Sequence, residues 1–165
     1  MEEERAMRKD KVNYYLDIAD SVRSRSTCMR RQYGAIIVAS DEIVATGYNG
    51  APRGRKNCDE LGVCVRQELN IPSGERYELC RSVHAEANAI ISASRKETIG
   101  STLYLTGRDA ATGEYLTGTT PCSMCRRLII NAGIKNVVCR VSETEYTDTP
   151  VLDWIENDDT APGID

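Results

Sequence analysis

The chain has 165 residues, the size of one compact domain that can bury a substantial core, and its 41% hydrophobic and 28% charged residues exclude a disordered chain. Its net charge is −4, yet residues 23–56 hold seven basic side chains against two acidic ones. That pattern favours a small anionic ligand over a long nucleic acid, although a solvated run of charges has the same composition. The N-terminal sequence MEEERAMRKDK is too charged for a signal peptide. No apolar run has the length to span a membrane, so we expect a cytoplasmic protein.

The periodicity of the sequence predicts an alternation of helices and strands. Apolar residues at helical spacing predict a first helix over about residues 9–24, and two β-branched runs around the residues SDE predict a hairpin over 33–48. A long aperiodic segment follows, over about 49–82. We then expect a helix over 84–97, a strand over 101–107 and a turn with a short extra strand over 108–119. A further helix is expected to have Thr120 as its N-cap, Pro121 at its first position and Gly133 at its C-terminal end. A strand over 134–141 follows it.

The last residues leave two structures open. The stretch 149–159 fits a short capped helix, and its first half also fits a final strand. The order of elements predicts an α/β fold in which helices cover both faces of a mixed sheet. We expect a single domain over residues 1–165, with its core at about 9–141 and a short acidic tail at 142–165.

The cysteines and the single histidine point to a metal. Seven cysteines are an odd number for a disulfide framework, and in a reducing compartment clustered cysteines favour metal binding. Cys122 and Cys125 are three residues apart at a predicted helix start, where the helix dipole favours thiolates. His84 stands at another predicted helix start. If the two starts adjoin, the three side chains form a zinc site with an open fourth position, and Glu86 beside it would be a base rather than a ligand.

Two alternatives compete with this site. A pair of cysteines in C-x-x-C spacing is also typical of redox sites, and a single histidine is most often a core or surface residue. The combination of H-x-E with P-C-x-x-C, each at a helix start, is more specific than either motif alone. It is the signature of the zinc-dependent nucleobase deaminases.

The sequence resembles the cytidine and deoxycytidylate deaminase superfamily and is most similar to its deoxycytidylate (dCMP) deaminase branch. The matching motifs extend over about residues 20–140 and are STC, YGAIIV, ATGYNGAPRG, HAEANAI, TLYLT, PCSMC and IINAGIKNVV. The resemblance implies a three-layer α/β/α cytidine deaminase-like fold with a mixed central sheet. It also implies zinc-dependent hydrolysis of dCMP to dUMP and ammonia, for the supply of pyrimidine deoxynucleotides.

The resemblance further implies roles for individual residues. Glu86 would take a proton from a zinc-activated water and deliver protons to ring nitrogen 3 and to the departing amine of cytosine. The implied substrate contacts are Ala85 and Pro121 at the pyrimidine edge, Asn49 and Asn88 at the sugar or phosphate, Arg25 and Ser26 at the phosphate, and Tyr146 near the base. Arg53 or Arg55 are alternative phosphate contacts, and Asn49 also fits an ordinary Asn-Gly turn.

Four of the remaining cysteines predict a second, structural zinc. They lie in or beside irregular segments with too few apolar residues to become ordered by burial, and they are Cys28, Cys58, Cys64 and Cys80. In some dCMP deaminases, cysteines at the positions of Cys28 and Cys58 hold such a zinc. The spacing matches no standard zinc finger, so four unconnected thiols are the alternative. Cys139 lies in an apolar strand, and we expect it in the core.

The resemblance also implies assembly and regulation. A homo-hexamer is expected, with dCTP and dTTP acting as effectors that bind with magnesium near Gly47, Tyr48, Asn49 and Gly50. We expect neither a nucleic acid nor a membrane as partner. Relative to most of the family, residues 107–120 form an insertion beside the active site. Two other functions stay open, namely a deaminase for another cytosine or adenine substrate (a nucleoside or tRNA) and a non-catalytic nucleotide-sensing zinc protein.

Overall fold

A five-stranded sheet lies at the centre of the computed structural model, which describes residues 8–158. Its strands are β1 (Arg31–Ala39), β2 (Glu42–Tyr48), β3 (Thr102–Asp109), β4 (Asn136–Arg140) and β5 (Tyr146–Pro150). The order across the sheet is β2–β1–β3–β4–β5. β3 and β4 are parallel and the other neighbours are antiparallel, so the sheet is mixed as the sequence predicts.

Helices cover both faces of this sheet. They are α1 (Lys11–Arg23), α2 (Cys58–Leu61), α3 (Val65–Glu68), α4 (Ala85–Ile91), α5 (Arg95–Thr98), α6 (Ser123–Ala132) and α7 (Val151–Glu156), with a 3₁₀ turn at Tyr77–Leu79. α1 packs on one face, and α4 and α6 pack on the other with α7 beside α6. The predicted three-layer α/β/α arrangement is confirmed. Between residues 8 and 158, no helix is both long and apolar enough to cross a membrane.

Strand β1 supplies residues to two hydrophobic cores. Ile36 and Val38 face α1 and pack against Leu16, whereas Ala35 and Ile37 face α4 and α6. This strand is an almost continuous apolar run because its side chains are buried on both faces of the sheet. Each fully buried aliphatic side chain contributes about 1.5–3 kcal/mol to folding. The two cores therefore hold the helix layers at fixed positions against the sheet.

Charged side chains join α1 to the sheet. The buried Arg140 of β4 donates to Asp17 over 2.7 Å, and Arg108 of β3 donates to both carboxylate oxygens of Asp20 over 3.0 and 2.9 Å. Arg108 also donates to the hydroxyl of Tyr115 over 2.7 Å. Tyr115 belongs to the 107–120 insertion, so the middle of that insertion is anchored on the α1 face of the sheet.

The hairpin and helix α1 have local sequence causes. Ser40 and Asp41 form a two-residue turn between β1 and β2, and both have positive φ, of 50° and 61°. Asp41 accepts a hydrogen bond from Tyr15 and pairs with Lys11, which fastens the hairpin to α1. Glycine is also required at position 34 of β1, where α1 packs on the strand, because a Cβ there would lie 2.1 Å from the carbonyl oxygen of Ala19.

Two predicted helices have different bounds in the structure. The helix predicted over 84–97 ends at Ile91, and α5 begins after Ser94, whose side chain and that of Glu97 form a capping box. The last long helix begins at Ser123 after the N-cap Cys122, so Thr120 does not cap it and Pro121 lies outside it. Gly133 ends it with a φ of 75°, as predicted.

The C-terminal stretch also differs from its prediction as an acidic tail. Residues 146–150 form β5, which pairs with β4, and residues 151–156 form α7, whose Val151 is buried in the core. Of the two structures left open for 149–159, the helix is present over 151–156 without a side-chain cap, and only residues 149–150 belong to the strand. Ordered elements that pack on the sheet extend beyond residue 141, whereas residues 159–165 lie outside the described part.

Candidate metal centre and its cavity

Helix α4 brings His84 to the edge of the sheet. His84 is the N-cap residue of α4, with an extended backbone conformation, so its ring projects from the helix start. The helix packs closely on β2 because Gly47 has no side chain. A Cβ at that position would lie 2.4 Å from both the carbonyl oxygen of Ala85 and the amide nitrogen of Ala89. The contact between Gly47 and Ala85 thus fixes the position of the histidine.

Helix α6 brings the two thiols to the same place. Cys122 is the N-cap residue of α6, and Cys125 is buried in its first turn. The Nδ1 atom of His84 lies 3.5 Å from the Sγ atom of Cys122 and 3.4 Å from that of Cys125. The predicted meeting of two helix starts is present, because α4 and α6 lie side by side on one face of the sheet.

The three side chains fit a zinc ion. Zinc bonds of about 2.0 Å to nitrogen and 2.3 Å to sulfur at a tetrahedral angle place these two atoms about 3.5 Å apart. The observed separations agree with that value. Among residues 8–158, His84, Cys122 and Cys125 are the one group of three or more potential ligands whose ligand atoms all lie within 4.8 Å of one another. One nitrogen and two thiolates leave a fourth position for water or substrate, as in catalytic zinc sites.

The protonation of these groups reflects their proximity. The hydrogen bond to Cys122, together with one to Cys80, raises the pKa of His84 to about 10. Hydrogen bonds from Cys125 and His84 lower the pKa of Cys122. The pKa of Cys125 is raised, because it donates to the Cys122 sulfur and is buried. The site therefore already stabilises one thiolate, which is the form that binds metal.

Glu86 lies in the first turn of α4, buried beside the ligands. Burial raises the pKa of its carboxyl group, and the positive charge of His84 acts in the opposite direction. Only 5% of the residue is exposed, so the carboxyl group is shielded from bulk water. A carboxyl group in this position can exchange protons with a molecule held at the open side of the metal centre.

A cavity opens above the metal centre. It is lined by His84, Glu86 and Cys122, by two tyrosines and by three arginines. The tyrosines are Tyr33 and Tyr77, and the ring of Tyr77 stands edge-on to that of His84 with 5.4 Å between ring centres. The arginines are Arg30, Arg31 and Arg66. Aromatic and cationic side chains next to a metal suit a flat ring that bears an anionic group.

The sequence did not single out these five residues as site residues. Arg30 and Arg31 lie in the basic segment, and Tyr33 begins the YGAIIV motif, so a signal for them was present. Arg66 and Tyr77 lie in the aperiodic segment, where no periodicity or motif marks a residue as facing inward. Only the folded path of that segment places them over the metal centre.

Asn49 and Ser26 lie together at the cavity wall. Asn49 is buried and lines the cavity, and its side-chain oxygen accepts from the Ser26 hydroxyl over 2.5 Å and from the Tyr33 amide over 2.8 Å. Its amide group donates to the carbonyl of Arg31 over 2.9 Å. These bonds hold the loop before β1 against the end of β2. The Ser26 side chain is used within this network.

Other predicted substrate residues lie away from the cavity wall. Asn88 donates to the carbonyl of Tyr48 over 2.8 Å, which ties α4 to the end of β2. Arg25 is exposed after α1, and Tyr146 is 40% exposed on the outer strand β5. The carbonyl of the buried Pro121 accepts a hydrogen bond from Nε of Arg126 over 3.1 Å. The fully buried Ala85 forms the contact with Gly47 described above.

The other four predicted zinc ligands are neighbours that do not converge to ligand spacing. All seven cysteines have free thiols. Burial raises the pKa of Cys58, and nearby thiols raise it further; these are Cys28, Cys80 and Cys64. Three of the four, Cys28, Cys64 and Cys80, line the cavity. Cys139 is buried in the core as predicted.

These features coincide with the zinc-binding region of a known family. A family model described as the cytidine and deoxycytidylate deaminase zinc-binding region matches residues 9–141. The chain belongs to the cytidine and deoxycytidylate deaminase family. Its three metal ligands and Glu86 all lie inside the matched region, so the geometry and the family agree on a zinc site.

Individual relatives match most of the length of this chain. It is 37% identical over 136 residues to the deoxycytidylate deaminase of Mycobacterium phage D29, a match that covers 79% of this chain and 94% of the phage protein. It is 36% identical over 130 residues to the deoxycytidylate deaminase of Schizosaccharomyces pombe, covering 79% of this chain but only 37% of the yeast protein. The structure is similar to that of dCMP deaminase from the cyanophage S-TIM5 in complex with dCMP and dUMP. The TM-score is 0.55 at 27% identity, over 81% of this chain and 83% of the cyanophage chain.

Proposed function

We propose that the protein hydrolyses dCMP to dUMP and ammonia at a zinc ion held by His84, Cys122 and Cys125. The observation with most weight is the meeting of these three ligand atoms beside the buried Glu86, at the base of a cavity with a basic wall. The names of the relatives from phage D29 and S. pombe support the substrate. The cyanophage structure with dCMP and dUMP, substrate and product of this reaction, supports it further.

Glu86 performs the proton transfers in this reaction. Zinc, when bound, lowers the pKa of a coordinated water towards neutrality and so supplies the nucleophile. Glu86 accepts the two protons of the attacking water in turn. The first goes to ring nitrogen 3, and the second, from the hydroxyl group added at carbon 4, goes to the amine, which leaves as ammonia. The burial of Glu86 keeps these protons from exchanging with bulk solvent during the reaction.

The walls of the cavity orient the nucleotide. Tyr33 and Tyr77 provide apolar faces for the pyrimidine, and Asn49, which also lines the cavity, would contact the sugar. Asn88 acts indirectly, because its bond to the Tyr48 carbonyl holds the strand end that leads to Asn49. Arg25 and Ser26 are the phosphate contacts that the family resemblance implies, but neither lines the cavity. Pro121 and Ala85 offer backbone groups to the pyrimidine edge, and Tyr146 lies on the outer strand β5.

A nucleotide panel tests this function. Ammonia release is measured with dCMP, deoxycytidine, cytidine and adenosine at equal concentration, with zinc content determined on the same sample. We expect dCMP to have the highest kcat/KM. Equal rates on adenosine, or zinc-loaded protein without release from any of the four, would contradict the proposal. The second of these results would instead favour a nucleotide-sensing zinc protein.

A second zinc at Cys28, Cys58, Cys64 and Cys80 is part of this proposal. The support is the proximity of the other three thiols to Cys58 and the irregular path of the segment that holds three of the four. Binding would require the short helices α2 and α3 to draw together around the ion. In that role the metal would replace the hydrophobic core that this segment lacks.

Regulation and assembly complete the proposal. Residues 47–50 lie at the end of β2 and directly after it. Gly50 exchanges two backbone hydrogen bonds with Val83, the residue before the ligand His84. An effector such as dCTP or dTTP with magnesium bound at this stretch would act directly on α4, the helix that begins after the ligand His84. Light scattering should give a hexamer in the cytoplasmic protein, and substrate saturation curves should shift with either triphosphate. A monomer with curves indifferent to both would contradict this part alone.

A further inference from the structure

Arg66 is a buried cation without a carboxylate partner. It is 7% exposed, and none of the ion pairs among residues 8–158 includes it. Its Nη2 atom donates to the backbone carbonyls of Pro72 over 2.8 Å and Glu75 over 2.7 Å. Its Nε atom is buried and has no hydrogen-bond partner in the described part of the chain. Burial of a charge without a counter-charge is unfavourable, so this position favours an anion.

The guanidinium group is held rigidly next to the metal centre. It lies 4.4 Å from the ring centre of Tyr77, and that ring stands edge-on to His84. Arg66, Tyr77, His84 and Glu86 all line the same cavity. Two carbonyls and one aromatic ring therefore fix the orientation of the cation before any ligand enters, which reduces the entropy lost on binding.

The charge of the cavity matches a phosphate. Its wall contains three arginines, and among the described lining residues Glu86 is the only carboxylate. A phosphate monoester has a charge of about −1.5 to −2 at pH 7 and is attracted by such a group of cations. A guanidinium group recognises phosphate oxygens with a planar set of donors.

We propose that Arg66 is the specificity-determining residue that recognises the 5′-phosphate of the substrate, an inference that rests on the proposed function. The sequence had favoured Arg25 and Ser26 for this contact. Arg25 does not line the cavity, and the Ser26 hydroxyl donates to Asn49. The aperiodic segment thus supplies the selectivity for a nucleotide over a nucleoside, while α4 and α6 supply the chemistry.

Substrate selectivity of Arg66→Ala tests this assignment. The measured quantity is kcat/KM for dCMP and for deoxycytidine. We expect the dCMP value to fall about ten- to a hundredfold, as for loss of a hydrogen bond to a charged group, and the deoxycytidine value to stay within about twofold. Arg76→Gln is the matched control, because Arg76 lies in the same segment but is exposed and pairs with Glu78. It should leave both values unchanged.

Three outcomes are decisive. An unchanged ratio of the two kcat/KM values in folded Arg66→Ala would overturn the assignment, and a reduced ratio in Arg25→Ala would then assign the contact to Arg25. Should Arg66→Ala fail to fold, Arg66→Lys replaces it. Lysine keeps the charge but cannot bond both carbonyls and stack on Tyr77, so the ratio of the two kcat/KM values should also fall in this variant. A wild-type ratio in Arg66→Lys would overturn the assignment. Wild-type protein inactive on both substrates would refute the proposed function instead.

Discussion

The two faces of the sheet hold their helices by different means. On the α1 face, charged pairs such as Asp17–Arg140 and Asp20–Arg108 connect helix and strands around a small apolar core. On the opposite face, α4 and α6 pack mainly on apolar side chains, and the metal ligands meet at their first residues. Stability and chemistry are therefore assigned to different layers. Substitutions on the two faces should separate loss of folding from loss of turnover.

Cys122→Ala, on the face of the sheet that holds the metal ligands, should produce the largest effect on zinc binding and turnover. Loss of one of three ligands leaves too few donors for zinc, so we expect bound zinc and dCMP turnover to vanish together. Metal analysis and ammonia release on the same sample measure both. Cys139→Ala is the matched control, because Cys139 is also a buried thiol behind this site and is not a ligand. It should lose some stability and keep its zinc; an active, zinc-loaded Cys122→Ala protein would contradict the site.

Two glycines, one on each face, offer a direct contrast. Gly47→Ala would place a Cβ 2.4 Å from the Ala85 carbonyl oxygen, and Gly34→Ala would place one 2.1 Å from the Ala19 carbonyl oxygen. Overpacking of this kind costs about 1–3 kcal/mol, so both variants should melt several degrees below wild type. Because Gly47 positions α4 and with it the ligand His84, only Gly47→Ala should also lose kcat per folded molecule. Equal kcat values in both folded variants would mean that α4 tolerates displacement.

Asp20→Asn should reduce stability on the α1 face without affecting turnover. Burial alone would raise the pKa of Asp20, but hydrogen bonds from Arg108 and Arg23 outweigh it and lower the pKa. A lowered folded-state pKa gives stability that is present above the unfolded value of about 3.9 and is lost as the pH falls through the folded value. The variant should therefore be about 1.5–3 kcal/mol less stable at pH 7 and approach wild type below about pH 4. Urea unfolding across this pH range measures the gap, and a constant gap would contradict the assignment.

Cys58→Ser tests the proposed second zinc and should have the smallest effect on turnover. The wild-type protein should contain two zinc ions per chain, and this variant should contain one while keeping measurable deaminase activity. Protease cleavage within residues 58–82 should become faster, because the segment loses its constraint. One zinc in the wild-type protein, with all four thiols freely titratable, would rule out the second site.

The layers could be predicted from sequence because their patterns are local. The run AIIV, the capped helix α1 and the two motifs at the starts of α4 and α6 each contain their own signal. The break near Ser94 was also encoded, as the capping box formed with Glu97, but the apolar residues before it suggested one long helix. The metal ligands were found because chemistry limits which residue types can hold zinc.

The cavity wall was less predictable for a physical reason. Arg66 and Tyr77 lie in a segment without periodicity, and their positions depend on contacts with distant residues such as His84. The basic segment predicts an anionic ligand, but charge alone does not specify which arginine turns inward. Tyr146 followed the last strand visible in the sequence, and the structure places it on a further strand at the sheet edge.

The most direct test of the catalytic account is turnover and zinc content in Glu86→Gln. Glutamine has the same shape and cannot transfer protons, whereas the three ligands are untouched. We predict that the variant keeps zinc at the wild-type level and that dUMP formation from dCMP falls by about a hundred- to ten-thousandfold, the usual contribution of general acid–base catalysis. Wild-type turnover in zinc-loaded Glu86→Gln would contradict the role of Glu86 and with it the proposed mechanism.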